Sequence, residues 1–184
     1  DDEPLPFYYQ RSLTASSFFP TRSFEILRQN MAVTSGNFFF HQDLFQEVGD
    51  FKPYIICHDW DYLLRAILVE EPYFVDEALL SYRVHGGNTL KDPEQKRAGE
   101  IDQVVSGYLE NMHQAKNVLA PTPDNWGTYW ELYADIYLKH MSQYPRTWTL
   151  LQEMGALDKN ALSDLERLLY DNLRAQAKAH FSQT

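Results

Sequence analysis

Three groups of polar residues sit on otherwise apolar stretches of this chain: Ser35-Gly36-Asn37, His58-Asp59-Trp60-Asp61, and Tyr82-Arg83-Val84-His85-Gly86-Gly87-Asn88-Thr89. The second group sets two carboxylates and an imidazole side by side. A carboxylate within hydrogen-bond reach of a hydroxyl can take its proton, so the chemistry it suggests is general-base assistance. On a helix, Asp59 and Asp61 leave the axis about 200° apart. They are therefore not expected to serve one atom, and one of them is structural or a cap; N-capping is the plain alternative for an aspartate at a helix start. In the third group Arg83 and His85 are two residues apart, which on a strand puts them on one face. The double glycine that follows lets the backbone approach a ligand closely. A cation beside a potential metal ligand suits a phosphate-bearing molecule, although a histidine after a strand also serves as an ordinary hydrogen-bonded structural residue.

The elements that must hold these groups are read from apolar periodicity. Residues 1–22 carry three prolines and paired aromatics with little periodicity, and are expected to run extended across something larger. Met31 to Val33 and Asn37 to Phe40 are short apolar runs around Thr34-Ser35-Gly36, the pattern of strand, turn, strand. His41 to Val48 reads as a short helix stopped by Gly49. From His58 to Val69 the residues Trp60, Leu63, Leu64, Ile67 and Leu68 recur at helical spacing, leaving Asp59, Tyr62, Ala66 and Glu70 nearer another face. Tyr73 to Val75 and Leu79 to Val84 are rich in strand-forming residues, and Gly86-Gly87-Asn88 closes the second as a turn.

Beyond Asp92 the pattern becomes helical. Asp92-Pro93-Glu94 is a helix start, followed by a stripe of Ile101, Val104, Val105, Tyr108 and Met112. Further helices are expected over Trp126 to Met141, about Thr147 to Met154, and Leu162 to Leu173. Their aromatic stripes could grip sugar rings or pack helix on helix; the second is the commoner use.

Composition narrows the classes. The chain has 184 residues, 44% hydrophobic and 15% aromatic, enough to bury a core. Its 26 acidic residues outnumber 16 basic ones, a net charge of −10, opposite to the footprint of a nucleic-acid binder. Residues 41–77 alone carry nine acids against Lys52 and Arg65. Acidic runs of this kind are usually solvated faces. The single cysteine, Cys57, excludes an internal disulfide and fits a reducing cytoplasm. No stretch approaches the roughly 18 to 20 apolar residues of a spanning helix.

Taken in order, four blocks resemble the second half of the family 2 glycosyltransferases of the GT-A fold: Ser35-Gly36-Asn37-Phe38-Phe39-Phe40, Leu44-Phe45-Gln46-Glu47-Val48-Gly49-Asp50-Phe51, His58-Asp59-Trp60-Asp61-Tyr62-Leu63-Leu64-Arg65 and Tyr82-Arg83-Val84-His85-Gly86. The resemblance covers about residues 24 to 91, and four collinear blocks are more specific than any one. It implies that Asp59 is the base that deprotonates an acceptor hydroxyl, with His58 standing where the family usually has glutamate. It implies that His85 meets a divalent cation (Mg2+ or Mn2+) or the donor's diphosphate, with Arg83 beside it, that Trp60 and Asp61 border the acceptor, and that Asn37 lines the cleft. Inversion needs no covalent intermediate, so the absence of a serine or cysteine nucleophile motif is consistent with it.

The expectation is therefore an α+β chain, mainly α, in which residues 1–91 form the acceptor and catalytic-base half of a GT-A domain and residues 92–184 a helical extension packed on it. The family's nucleotide-binding half, with its metal-binding Asp-x-Asp, would precede these residues, so the chain is expected to be silent by itself. Its partners would be a nucleotide-sugar donor, a glycan or lipid-linked acceptor in cell-surface polysaccharide synthesis, and its own N-terminal domain. The expected location is the cytoplasm, including the inner face of the membrane. Two rival readings come from other classes. In a metal-dependent hydrolase, His58, Asp59, Asp61 and His85 would be ligands; a non-catalytic helical interaction module would account for residues 92–184.

Overall fold

The computed structural model describes residues 19–75, 77, 79–81, 94–122, 125 and 143–154, apart from the side chains of 94–97, 152 and 154. Five α-helices follow in order: α1 (Arg22–Arg28), α2 (Gln42–Val48), α3 (His58–Ala66), α4 (Glu94–Asn111) and α5 (Pro145–Met154). Single 3-10 turns occupy Ser35–Asn37 and Met112–Gln114. Helix α4 is the central rod: α3 packs on it from one side and α5 along it, while α1 and α2 lie against α3.

One apolar core joins these elements. Phe24 and Leu27 of α1, Trp60 and Leu64 of α3, Val104, Val105 and Tyr108 of α4, and Leu151 of α5 are all buried in it. The stripe read from the sequence beyond Asp92 is thus the buried face of α4, and the core draws on residues both before and after that point. A polar clasp closes one side of it. Glu71 accepts the backbone N–H of Ser23 at 3.1 Å and the Ser23 hydroxyl, while the Asn117 amide donates to Glu71 and to the Ile67 carbonyl, each at 3.0 Å. Every member of this buried network has a partner, as a low-dielectric interior requires.

The expected mixed α+β fold, with short strands from a GT-A sheet, is corrected here: among the described residues the chain is helical and has no strand. Met31 to Val33 is a turn, in which Val33 takes φ 64° and the Thr34 N–H reaches the Ala32 carbonyl at 2.6 Å. Asn37 belongs to a 3-10 turn, and Phe38 to Phe40, Tyr73 to Val75 and Leu79 to Ser81 are irregular. Strand propensity chiefly reports how well a side chain fits a pleated, half-buried surface. Among the described residues these runs find no neighbouring strand; the rings of Phe38 and Phe40 are instead taken up against α3, and Phe39, Tyr73 and Leu79 stay exposed. Arg22–Arg28 is a helix that periodicity did not suggest. Its Thr21 hydroxyl accepts the Phe24 N–H as an N-cap. The helices expected at Trp126 to Met141 and Leu162 to Leu173, and the turn at Gly86 to Asn88, lie outside the described residues. No helix among the described residues is long and apolar enough to cross a membrane.

Candidate functional site

Helix α3 carries the acidic group and is buried on most of its circumference, with Asp59, Trp60, Asp61, Tyr62, Leu64 and Ala66 all enclosed. Its start is organised from outside. Cys57, the N-cap, makes no side-chain capping bond to the helix. Instead the Glu100 carboxylate of α4 accepts the N–H groups of Ile55, Ile56 and Cys57 at 2.9, 2.7 and 3.0 Å. Three orphan donors ahead of the helix are satisfied in this way, so the capping role does not fall on Asp59 alone.

The two aspartates have different surroundings. Asp61 is held by two cations: Lys52 Nζ lies 3.1 Å from Oδ1, and the Arg65 guanidinium 2.8 Å from Oδ2. Arg65 also donates to the Val48 carbonyl at 2.6 Å and to the Asp50 carbonyl at 2.9 Å. It therefore satisfies the last carbonyl of α2 and fixes the chain beyond Gly49, whose φ of 80° ends that helix. Asp59 is 6% exposed. Its Oδ1 accepts the Trp60 N–H at 2.8 Å, and its carboxylate has no cation partner among the described residues. Trp60 is a core residue whose indole N–H donates to the Ile26 carbonyl at 2.7 Å, near the end of α1.

Asn37 lies in the exposed 3-10 turn, and its amide donates to the Ala32 carbonyl at 2.7 Å, bracing the strained turn at Val33. Arg83 and His85, the expected phosphate and metal group, lie outside the described residues. Among those described, no group of three metal-ligating side chains converges.

An aromatic stack beside α3 was not read from the sequence. Tyr62 lies nearly parallel to Phe51, with ring centroids 4.3 Å apart and planes at 17°, and to Phe40 at 5.2 Å and 27°. Phe51 also touches His58 at 6.3 Å, and Arg65 lies over the Tyr62 ring at 5.3 Å. Burial pushes the Tyr62 phenol up, with Arg65 opposing, so the group stays a protonated donor. Its hydroxyl is buried and has no hydrogen-bond partner among the described residues. The available signal was spacing: Tyr62 follows Asp59 by three residues and His58 by four, which places it on the same side of one helix turn.

Compared with protein-family models, with curated proteins and with solved structures, the chain matches none.

Proposed function

We propose that this chain supplies the acceptor side of an inverting glycosyl transfer, with Asp59 as the general base that deprotonates the acceptor hydroxyl. The observation that carries the reading is the contrast between the two aspartates. Asp61 is neutralised by Lys52 and Arg65. Asp59, buried in the same helix turn, keeps a carboxylate with no cation partner among the described residues. A proton acceptor must not already be committed to a salt bridge, and Asp59 alone of the pair meets that demand. The collinear blocks that resemble family 2 glycosyltransferases support the same assignment.

In this reading the donor's nucleoside diphosphate is held by residues outside Asp59's helix, with Arg83 and His85 as this chain's contribution and a divalent cation completing the charge. The acceptor oxygen attacks the anomeric carbon as Asp59 takes its proton, and the diphosphate leaves from the opposite face. The bond formed is O–C1; the bond broken is C1–O to the diphosphate.

The test is transfer from nucleotide sugars by the natural gene product that carries these residues, with the anomeric configuration of the product read by NMR. Inversion is expected, together with a loss of about 10² to 10⁴-fold in turnover on Asp59→Asn. Residues 1–184 by themselves are expected to transfer nothing above a blank. Retention of configuration, or full turnover by the Asp59→Asn protein, contradicts the reading.

A second reading, a non-catalytic interaction module, draws on the exposure of Phe39, Tyr73, Leu79 and Val118, apolar side chains of the kind that protein partners cover. It requires that Asp59→Asn leave every activity of the gene product unchanged.

A further inference from the structure

The Tyr62 hydroxyl is an anomaly that the transfer chemistry does not use. The residue is 1% exposed, yet the hydroxyl has no partner among the described residues. Leaving such a group unsatisfied in the interior is unfavourable. The ring beside it is covered by Phe51, which is itself 38% exposed and belongs to the irregular stretch between Gly49 and Cys57. Phe51 is therefore a partly exposed ring stacked on the residue whose hydroxyl lacks a bond among the described residues.

The charges around the stack point to the kind of molecule that replaces this cover. Arg65 spends its guanidinium on Asp61 and on the carbonyls of Val48 and Asp50, and Lys52 is paired with Asp61. Among the described residues this leaves aromatic faces, one phenol hydroxyl and the His58 imidazole beside Phe51, with the Asp59 carboxylate one helix turn away. Such a lining favours a neutral ring with an apolar face and hydroxyl groups at its edge, and disfavours an anion.

We propose that Tyr62 seats the acceptor, and that the acceptor is an uncharged sugar whose ring takes the place of Phe51 against Tyr62 and accepts a hydrogen bond from its hydroxyl. The proposal rests on the transfer reading for the identification of the bound sugar as acceptor. Tyr62 lies one turn from Asp59, so a ring held there presents a hydroxyl on the side of the helix that carries the base. Phe51 then acts as a stand-in that keeps the site closed until sugar arrives.

The experiment is an NMR titration of this chain, with labelled tyrosine and phenylalanine rings, using cellotetraose and maltotetraose as neutral probes and tetragalacturonate as the anionic one. At least one neutral probe is expected to shift the Tyr62 and Phe51 rings, and tetragalacturonate to bind more weakly. Tyr62→Phe should weaken binding by about twofold to tenfold, the range that one net hydrogen bond supplies, while leaving the melting temperature unchanged or higher because an unsatisfied group is removed. Phe51→Ala should bind as well as or better than the parent, because the competing ring is gone. Silence with both neutral probes, preference for tetragalacturonate, unaltered binding by Tyr62→Phe, or lost binding by Phe51→Ala each overturns the proposal. Sugar binding with no transfer by the gene product defeats the transfer reading alone, whereas transfer with sugar bound elsewhere defeats only the role of Tyr62.

Discussion

Glu25 shows most directly how a single side chain sets a measurable property of this protein. It lies buried in α1, and burial pushes its carboxyl above the usual carboxylate range, with Arg22 and Arg28 opposing. One of its oxygens has no hydrogen-bond partner among the described residues. The folded state thus binds this proton more tightly than the unfolded chain does. As pH rises above the ordinary carboxylate range, ionisation therefore costs the folded state more than the unfolded one, and stability falls until the folded group has also ionised. Glu25→Gln removes that step. Urea midpoints measured from about pH 4 to 7 should show the substituted protein gaining on the parent as pH rises. A constant or shrinking difference contradicts the assignment. The Arg22 contact does not reverse this expectation, because Arg22 is 41% exposed and such pairs contribute little.

The helices hold one another by their ends as well as by their cores, and α4 is the common support. Its Glu100 gathers the amides ahead of α3. Its Asp102 accepts the N–H groups of Arg146 and Thr147 at 3.1 and 2.8 Å, at the start of α5. Its Glu110 makes only an exposed bidentate pair with Arg146. Glu100→Ala should therefore destabilise by about 1 to 3 kcal/mol, since it leaves three donors to water or to nothing, whereas Glu110→Ala should cost at most about 1 kcal/mol. Urea unfolding of the two variants compares them directly. Equal losses would mean that the cluster at residues 55–57 is not what fixes the start of α3. This capping could not be read from periodicity, because Glu100 lies more than forty residues from the amides it serves. Patterns three or four residues apart did locate α3, α4 and α5 to within a few residues, since each of these buries a face whose period the sequence repeats, whereas α2, which buries no residue, was placed by the stop at Gly49. The strands were misread for the converse reason: Phe38, Phe40 and Tyr73 have strand-forming side chains, but pairing depends on a neighbour that no local pattern records.

For the molecule as a whole, Trp60 and Asp61 of the acidic group hold helices together, while Asp59 has no cation partner among the described residues. Trp60 fastens α3 to α1, and Arg65 with Asp61 fastens it to the end of α2. Much of the collinear pattern in residues 44–65 thus has a structural use, which a sequence cannot separate from a chemical one. That Asp59 and Asp61 have different surroundings was legible from helix geometry. The aromatic stack that joins Phe40, Phe51 and Tyr62 was not, because it brings together three separate segments. In the proposed reading Asp59 is the aspartate left free for chemistry and Asp61 the one that holds the helix. Turnover and melting temperature, measured together for Asp59→Asn and Asp61→Asn in the natural gene product, separate these roles. Asp59→Asn is expected to lose about 10² to 10⁴-fold in turnover with little change in melting temperature, while Asp61→Asn melts earlier and keeps most of its turnover at temperatures where it stays folded. The opposite pattern, turnover lost by folded Asp61→Asn and stability lost by active Asp59→Asn, would contradict it.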